Sequence, residues 1–294
     1  MDLGKKERDV LPYYSLVSKK LIRFLDKKEI ATRISLPGSN IGKILKRGSK
    51  EEPLYVSEIV KNVNKDMLKL RNKSLTDVKG KLNKVQIKIW DYFVPRKLID
   101  FLYATNNEGI NKKIERIFFD IDCGDLSSEK ARIVTKEFVY LIKKDKEFNR
   151  LINYDLMPMW TGHSFHVYLF LKKEVSSEFY RKYLMFSKSK PLESFTGRWA
   201  NDISKKTGIK TIGGHEKVKG FINIDPSQTP SGKLARAPFS LNIKKFKVVG
   251  IALPLSVKDL DDKNLVKKLR GYNMDKVIKD LNLFSKKIPK KLRT

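Results

Sequence analysis

The pattern of hydrophobic and polar residues near the start of the chain predicts one helix followed by a turn. Val17, Leu21 and Phe24 recur at helical spacing within residues 13–32, which is typical of an amphipathic helix with one buried face. Residues 34–53 are rich in Gly, Ser and Pro and strongly basic. That composition predicts a turn-containing loop or a hairpin after the helix.

From residue 114 onward, strand-like and helical segments alternate. A helix is expected over 127–148, where Ser can cap the first turn, and a Lys-rich helical region ends near residue 207. A helical, basic segment follows Pro254. This mixture predicts one α+β domain with a small helical end piece. The predicted strands are IERIFFDID (114–122), FHVYLFL (165–171), GFINIDP (220–226), APFSLNI (237–243) and FKVVGIALPL (246–255).

The charge balance points to a polyanionic partner. The 294 residues include 63 Lys and Arg against 33 Asp and Glu, a formal charge of +30. A field of that sign attracts nucleic acid, the most common polyanion. A general bias towards solubility, an acidic protein partner and a membrane surface are the alternatives that charge leaves open.

Hydropathy and the cysteine count exclude several classes of protein. No apolar run approaches the roughly 20 residues of a membrane helix, and the first residues lack a hydrophobic signal core, so neither membrane insertion nor export is expected. The single cysteine, Cys123, excludes an internal disulfide and a cysteine-based zinc knuckle. It suits a reducing cytoplasm.

Two acids in the otherwise apolar strand at 114–122 are candidates for metal chemistry. Asp120 and Asp122 are two residues apart, so both side chains leave the strand on one face. Neighbouring carboxylates repel each other unless a cation lies between them, and hard Mg²⁺ or Mn²⁺ suits oxygen ligands. Asp225 ends another predicted strand and could complete a site for two ions. The alternative is that these acids meet water at strand ends.

A second candidate feature is the segment TGHSFH, residues 161–166. Its small residues and backbone N–H groups could hold a phosphate, with His166 donating a hydrogen bond. The alternative is a half-buried histidine satisfied by a carbonyl. Arg236, flanked by Lys233 and Lys244, is suited to phosphate or carboxylate, although basic loop residues are commonly just solvated.

Taken in order, the segments FFDID, TGHSFH, FINID and LARAPFSLNIKK resemble the catalytic small subunit of archaeal and eukaryotic DNA primases. The resemblance covers residues 114–255. It implies the archaeo-eukaryotic primase catalytic fold, with mixed central β-sheets flanked by helices and without a zinc knuckle. It also implies a catalytic domain at 1–257 and a basic helical segment at 258–294.

The resemblance assigns roles to individual residues. Thr161 stands where the family has Ser, and Asn242 where the eukaryotic subunits have His. It implies that Asp120, Asp122 and Asp225 are catalytic and bind two Mg²⁺ or Mn²⁺ ions, with no structural zinc. The implied nucleotide-binding residues are Thr161, Gly162, His163, Ser164, His166, Arg236, Asn242, Lys244 and, from the N-terminal loop, Arg47.

The function implied is that of a nucleotidyltransferase that makes short primers on a template. Single-stranded DNA, nucleoside triphosphates and a primase large subunit are the implied partners, in the cytoplasm of an archaeal-type cell or the nucleus of a eukaryote. One alternative is a stand-alone primase-polymerase or end-joining polymerase of the same superfamily. Another is a catalytically inert paralogue that binds nucleic acid.

Overall fold

The computed structural model describes residues 10–35, 43–71, 73–93, 98–244 and 247–289. Helices and strands alternate irregularly along this part of the chain. Its α-helices are α1 (Leu11–Leu21), α2 (Val56–Asn62), α3 (Lys65–Leu70), α4 (Leu75–Val78), α5 (Lys84–Tyr92), α6 (Ser128–Lys144), α7 (Lys146–Leu151), α8 (Phe195–Thr207), α9 (Leu265–Arg270), α10 (Met274–Lys279) and α11 (Leu281–Ser285). Short 3₁₀ turns cover Lys79–Lys81 and Val257–Asp261, and a π turn covers Tyr180–Leu184.

The strands form two larger sheets and a hairpin. The first sheet has the order β12-β5-β6-β4-β8-β7, the second β2-β1-β3-β9, and β10 pairs with β11. All pairings are antiparallel except that of β7 with β8. The predicted α+β fold is confirmed. The strands are β1 (Ile30–Ser35), β2 (Lys43–Arg47), β3 (Ile99–Ala104), β4 (Ile114–Asp122), β5 (Tyr154–Trp160), β6 (Phe165–Val175), β7 (Thr211–Gly213), β8 (Ile222–Asp225), β9 (Leu234–Arg236), β10 (Leu241–Lys244), β11 (Lys247–Ile251) and β12 (Leu253–Pro254).

Strand β4 lies inside the six-stranded sheet, and its two faces pack against different parts of the protein. Because side chains alternate along a strand, Phe119 packs on Phe138 of α6, with ring centroids 4.9 Å apart. Phe118 points to the other side, where its ring lies 5.1 Å from that of Tyr168. The Tyr168 hydroxyl donates to the carbonyl of Arg236 on β9, at 2.8 Å. The face that carries Phe118 is therefore turned towards the four-stranded sheet.

The predicted first helix is too long. Helix α1 ends at Leu21, Lys27 has a φ of +53° that no α-helix accommodates, and residues 30–35 form β1 instead. The β-branched residues of that segment pair with β2 on one side and β3 on the other, which overrides the local helical pattern. Of the segment 34–53, predicted as a loop or a hairpin, residues 43–47 form β2, which pairs antiparallel with β1. Residues 36–42 lie outside the described part.

Asp145 divides the helix predicted over 127–148 into α6 and α7. Its carboxylate accepts a hydrogen bond from the N–H of Phe148 at 3.0 Å and caps α7. The same carboxylate accepts from the indole N–H of Trp199 at 2.9 Å. A side chain that caps a helix in this way stabilises a new helix start. The prediction of one continuous helix was therefore wrong at Asp145.

The strand predicted over 237–243 is also interrupted. Residues 237–240 turn the chain from β9 into β10, and Phe239 has a φ of +66° in the left-handed region. The strand predicted over 246–255 becomes β11 and β12, which pair with different partners. Residue 246 lies outside the described part.

The helices after Pro254 pack onto the main core. Leu260, Val266, Val277 and Phe284 are all buried in one continuous hydrophobic cluster with the side chains of the sheets. The helical character of this segment is confirmed, and the domain boundary at residue 257 stays a prediction.

Within the described ranges, no helix combines the length and the apolar character that crossing a membrane requires.

Candidate active site on the six-stranded sheet

The strand register gathers the predicted acids in one row. Asp120 of β4 lies directly opposite Asp225 of β8 and, on its other side, opposite His166 of β6. Asp122 lies opposite Asn223. Directly opposed residues in an antiparallel pair have Cα atoms about 4.5 to 5.5 Å apart and share a face. Asp225, which is distant in the sequence, is thus a neighbour of Asp120 and Asp122, and these three acids are called the acid row below.

The acid row is electrostatically crowded at its centre. Neighbouring strands desolvate the Asp120 carboxyl, and together with the negative charges of Asp122 and Asp225 this raises the pKa of Asp120 from 3.8 to about 7. The positive charges of Arg236 and Lys217 oppose the rise. A carboxyl in this condition gains from any further cation placed beside it.

His166 borders the acid row as a neutral base. Burial, followed by the positive charge of Arg236, lowers the pKa of His166 from 6.5 to about 3, so the imidazole is uncharged at neutral pH. Its Nε2 lies 3.5 Å from Oδ1 of Asp120, and its ring packs edge-on against Phe118 at 4.7 Å. The buried Nδ1 has no hydrogen-bond partner among the described residues. Most buried polar atoms have a hydrogen-bond partner, so this nitrogen is an exception.

Asp225 is held by its own turn. Its Oδ1 accepts the N–H of Ser227 at 2.9 Å, and its Oδ2 accepts the Ser227 hydroxyl at 2.8 Å. In the described ranges, no three His, Cys, Asp or Glu side chains are arranged so that they could hold a metal ion. The backbone therefore brings the acids together, while both carboxylate oxygens of Asp225 accept hydrogen bonds from Ser227.

The predicted phosphate turn is internally bonded. The N–H of Thr161 donates to the carbonyl of Ser164 at 2.9 Å, and the N–H of Ser164 donates to the Thr161 hydroxyl at 3.0 Å. The Ser164 hydroxyl donates to the carbonyl of Ile121, and the His163 carbonyl accepts the Ser128 hydroxyl at 2.6 Å. These bonds fix the turn beside β4. The two N–H groups and the Ser164 hydroxyl are already engaged as donors, so phosphate binding by this turn stays a prediction.

The β10–β11 hairpin supports that turn from the opposite side. The buried Asn242 amide donates to the carbonyl of Thr161 at 2.9 Å. Gly162, with a φ of +93°, lies so close to Gly250 that a Cβ on Gly162 would meet the Gly250 backbone at 2.9 Å. Asn242 thus positions the turn, and a direct nucleotide contact by Asn242 stays a prediction.

Arg236 lies close enough to the acid row to influence it, and it is anchored by a residue that sequence analysis missed. The Nη1 of Arg236 lies 3.2 Å from Oδ1 of Asp100, whose side chain is only 3% exposed. The same Nη1 donates a hydrogen bond to the carbonyl of Leu241. Arg33 donates through Nε to Oδ2 of the same Asp100 at 2.7 Å. The Ile243 N–H donates to Asp100 Oδ1 at 3.2 Å. Asp100 therefore connects β1, β3, β9 and β10 and balances two guanidinium groups.

We expect Asp100→Asn to lower the free energy of unfolding by about 3 kcal/mol, because it leaves two guanidinium groups short of a buried counter-charge. Urea denaturation measures the loss. The matched control is Asp155→Asn, which removes the partly exposed partner of Lys172 and should cost less than about 1 kcal/mol. Equal losses in the two variants would show that Asp100 does not act as a buried anchor.

The remaining predicted residues lie apart from the acid row or outside the described side chains. Arg47 is on β2, where its Nε and Nη2 donate to the two carboxylate oxygens of Glu108 at 2.8 and 2.6 Å, and Nη2 also donates to the Gly232 carbonyl. Lys244 ends β10, and its side chain is not described. A nucleotide contact from either residue stays a prediction.

Lys217 is a second residue that sequence analysis missed. Its Nζ lies 2.6 Å from Oδ2 of Asp122. In the sequence it is one of many basic residues, in a Gly-flanked loop with no distinguishing pattern. Asp100 did carry a signal, because it is a lone acid in the apolar segment LIDFLYA, the same type of signal that identified Asp120.

Comparison with known proteins defines the fold. No protein-family model matches the sequence, and no curated protein matches it. Among solved structures, the chain is similar to the polymerase domain of ligase D from Mycobacterium tuberculosis, determined in complex with DNA. The two align with a TM-score of 0.54 at 14% identity, over 96% of this chain and 92% of the other. The chain thus has the fold of that polymerase domain.

Proposed function

We propose that this protein is a nucleotidyltransferase of the primase-polymerase type, which adds nucleotides to a growing strand. The observation that carries the proposal is the direct pairing of Asp120 with Asp225, with Asp122 on the same face, in a fold shared with a polymerase domain. The formal charge of +30 agrees with a nucleic-acid template, whose backbone such a surface would grip with little sequence preference.

The acid row fits divalent ions in donor chemistry. Asp120, Asp122 and Asp225 offer only carboxylate oxygens, which suit Mg²⁺ or Mn²⁺. Desolvation, followed by the negative charges of Asp122 and Asp225, raises the pKa of Asp120, so a cation beside this carboxyl would be favourable. Asp225 would have to exchange its Ser227 hydrogen bonds for an ion. When bound, the ions would supply charge neutralisation on the phosphates and activation of the attacking oxygen.

The reaction proposed is transfer of a nucleotide to a 3′-hydroxyl. The hydroxyl oxygen gives its proton to water and bonds to the α-phosphorus of the nucleotide. The bond from that phosphorus to pyrophosphate breaks, and pyrophosphate leaves. Neutral His166, whose Nε2 lies 3.5 Å from Oδ1 of Asp120, would contact the phosphate chain. Arg236, held by Asp100, would contribute fixed positive charge. The protein thus mainly positions groups and balances charge.

Two more specific roles fit this activity. The sequence motifs favour a primase small subunit, which starts strands without a primer and would work with a large subunit. The likeness to the polymerase domain of ligase D favours a polymerase that extends existing ends, as end joining requires. The two roles differ in whether a primer must be supplied.

The deciding experiment is a synthesis assay on the purified chain. Single-stranded DNA, with or without an annealed primer, is incubated with ribonucleotides or deoxyribonucleotides and with Mg²⁺, Mn²⁺ or a chelator. We expect incorporation that requires a divalent ion, since removing the ions removes the charge neutralisation. Binding to the same DNA is measured in parallel and should weaken steeply with salt.

The outcomes separate the alternatives. Products without a primer support the primase role, and products only with a primer support the end-extending role. DNA binding without incorporation under any condition would instead support a catalytically inert paralogue and overturn the proposed activity.

A further inference from the structure

Lys217 places a positive charge directly on the acid row. Its Nζ lies 2.6 Å from Oδ2 of Asp122, within direct ion-pair distance. The Lys217 side chain is 73% exposed, whereas that of Asp122 is 27% exposed. The carboxylate is thus part of the site, while the ammonium reaches it from the solvent side.

The loop that carries Lys217 is fixed at both ends. Gly214 and Gly220 have φ values of +89° and +78°, a conformation that glycine adopts without strain. The Asn223 amide donates to the carbonyls of Gly214 at 3.1 Å and Glu216 at 2.6 Å. At the other end, the N–H of Gly220 donates to Oδ1 of Asp125 at 2.9 Å.

These anchors determine what can move. The loop backbone is bonded to β8 and to the turn that follows β4, so its position is set independently of the ion pair. The long, exposed Lys217 side chain is held to Asp122 by a contact that water can replace. The ammonium can therefore leave Asp122 by rotation of its own side chain.

We propose that Lys217 is the resident counter-charge of the acid row, which neutralises Asp122 when no ion is bound and is displaced when a divalent ion enters. This inference rests on the proposed function. An ammonium and a divalent ion cannot both contact the same carboxylate oxygen without strong repulsion. Ion binding and the Lys217–Asp122 contact thus compete.

The test is a calorimetric titration of the full chain with Mn²⁺ at low ionic strength, where charge effects are least screened. Lys217→Met removes the ammonium and keeps a long side chain. Lys219→Met is the control, because Lys219 is exposed in the same loop and its loss changes the net charge equally. We expect Lys217→Met to bind Mn²⁺ about fivefold more tightly than wild type, as loss of a surface ion pair predicts, and Lys219→Met to change binding less than twofold.

The outcomes distinguish this inference from the proposed function. If wild type binds Mn²⁺ and the two variants behave alike, or if Lys217→Met binds more weakly, the counter-charge role is wrong while the metal site stands. If wild type does not bind Mn²⁺, the proposed metal site fails as well.

Thermal unfolding in a chelator provides a second readout that does not involve activity. Without an ion, Lys217→Met leaves the acid row unbalanced, and its melting temperature should fall below that of Lys219→Met. Saturating Mn²⁺ should remove this difference, because the ion then supplies the missing charge. A difference that persists in Mn²⁺ would contradict displacement of Lys217.

Discussion

Asp120→Asn is expected to reduce nucleotide incorporation by at least about 10³-fold, the loss typical when a group that stabilises transition-state charge is removed. Asp120 occupies the middle of the acid row, with Asp225 and His166 directly opposite it on the two neighbouring strands. The amide keeps the shape of the side chain but lacks the charge that would hold an ion. Incorporation is measured with a supplied primer in saturating Mn²⁺.

The same substitution should stabilise the ion-free protein at alkaline pH. The pKa of Asp120 is about 7 in the folded protein, against the ordinary aspartate value of 3.8, so ionisation of this carboxyl opposes folding. The penalty is absent below about pH 4, grows as the pH rises and is complete above about pH 7. Asp120→Asn should therefore raise the melting temperature in a chelator at pH 8 and leave it nearly unchanged at pH 3.5.

Asp202→Asn is the matched control for both measurements. Asp202 is exposed on α8, and its change should affect neither incorporation nor the pH dependence of unfolding. If Asp120→Asn retained nucleotide incorporation, Asp120 would not take part in the reaction. A lower melting temperature at pH 8 would instead identify Asp120 as a structural acid.

The second large effect is expected from Gly250→Ala, which should lower the free energy of unfolding by about 3 kcal/mol or more. A Cβ at this position would lie 2.4 Å from the Cα of Gly162 and 2.6 Å from its carbonyl oxygen. Both neighbours are backbone atoms, so no side-chain rotation relieves the overlap, and close-packed surroundings resist the shift. Urea denaturation measures the loss.

Gly80→Ala provides the comparison. No heavy atom lies within 4 Å of a Cβ built on Gly80, and its φ is not in the left-handed range. Alanine at a compatible position is neutral or stabilises by about 0.4 to 1 kcal/mol, because it restricts the unfolded chain. Equal stabilities of the two variants would show that the turn at 161–164 does not rest on β11 as described.

The acid row could be predicted because its signal is local. An acid inside an apolar strand is expensive to bury, and the spacing of Asp120 and Asp122 fixes their common face. Asp225 at the end of a second strand carried the same signal. The register that places Asp225 opposite Asp120 could not be read from either strand alone, because pairing depends on the whole sheet.

The failed predictions share a tertiary cause. Asp145 ends α6 because its carboxylate serves both α7 and the distant Trp199, and a helical pattern contains no information on that second contact. Residues 30–35 are strand because β2 and β3 flank them. Lys217 was missed because its contact with Asp122 depends on the path of the loop between β7 and β8, which no local pattern predicts.

The pairing of β8 with β4 has a consequence for how the protein acquires its activity. Strands β5 and β6 are joined by a short turn and can pair early, whereas β8 reaches β4 only after a long intervening segment has closed, which is entropically slow. Any intermediate in which β8 is still detached has two of the three acids and no complete row. During refolding, recovery of ion binding should therefore lag behind the recovery of helical circular dichroism.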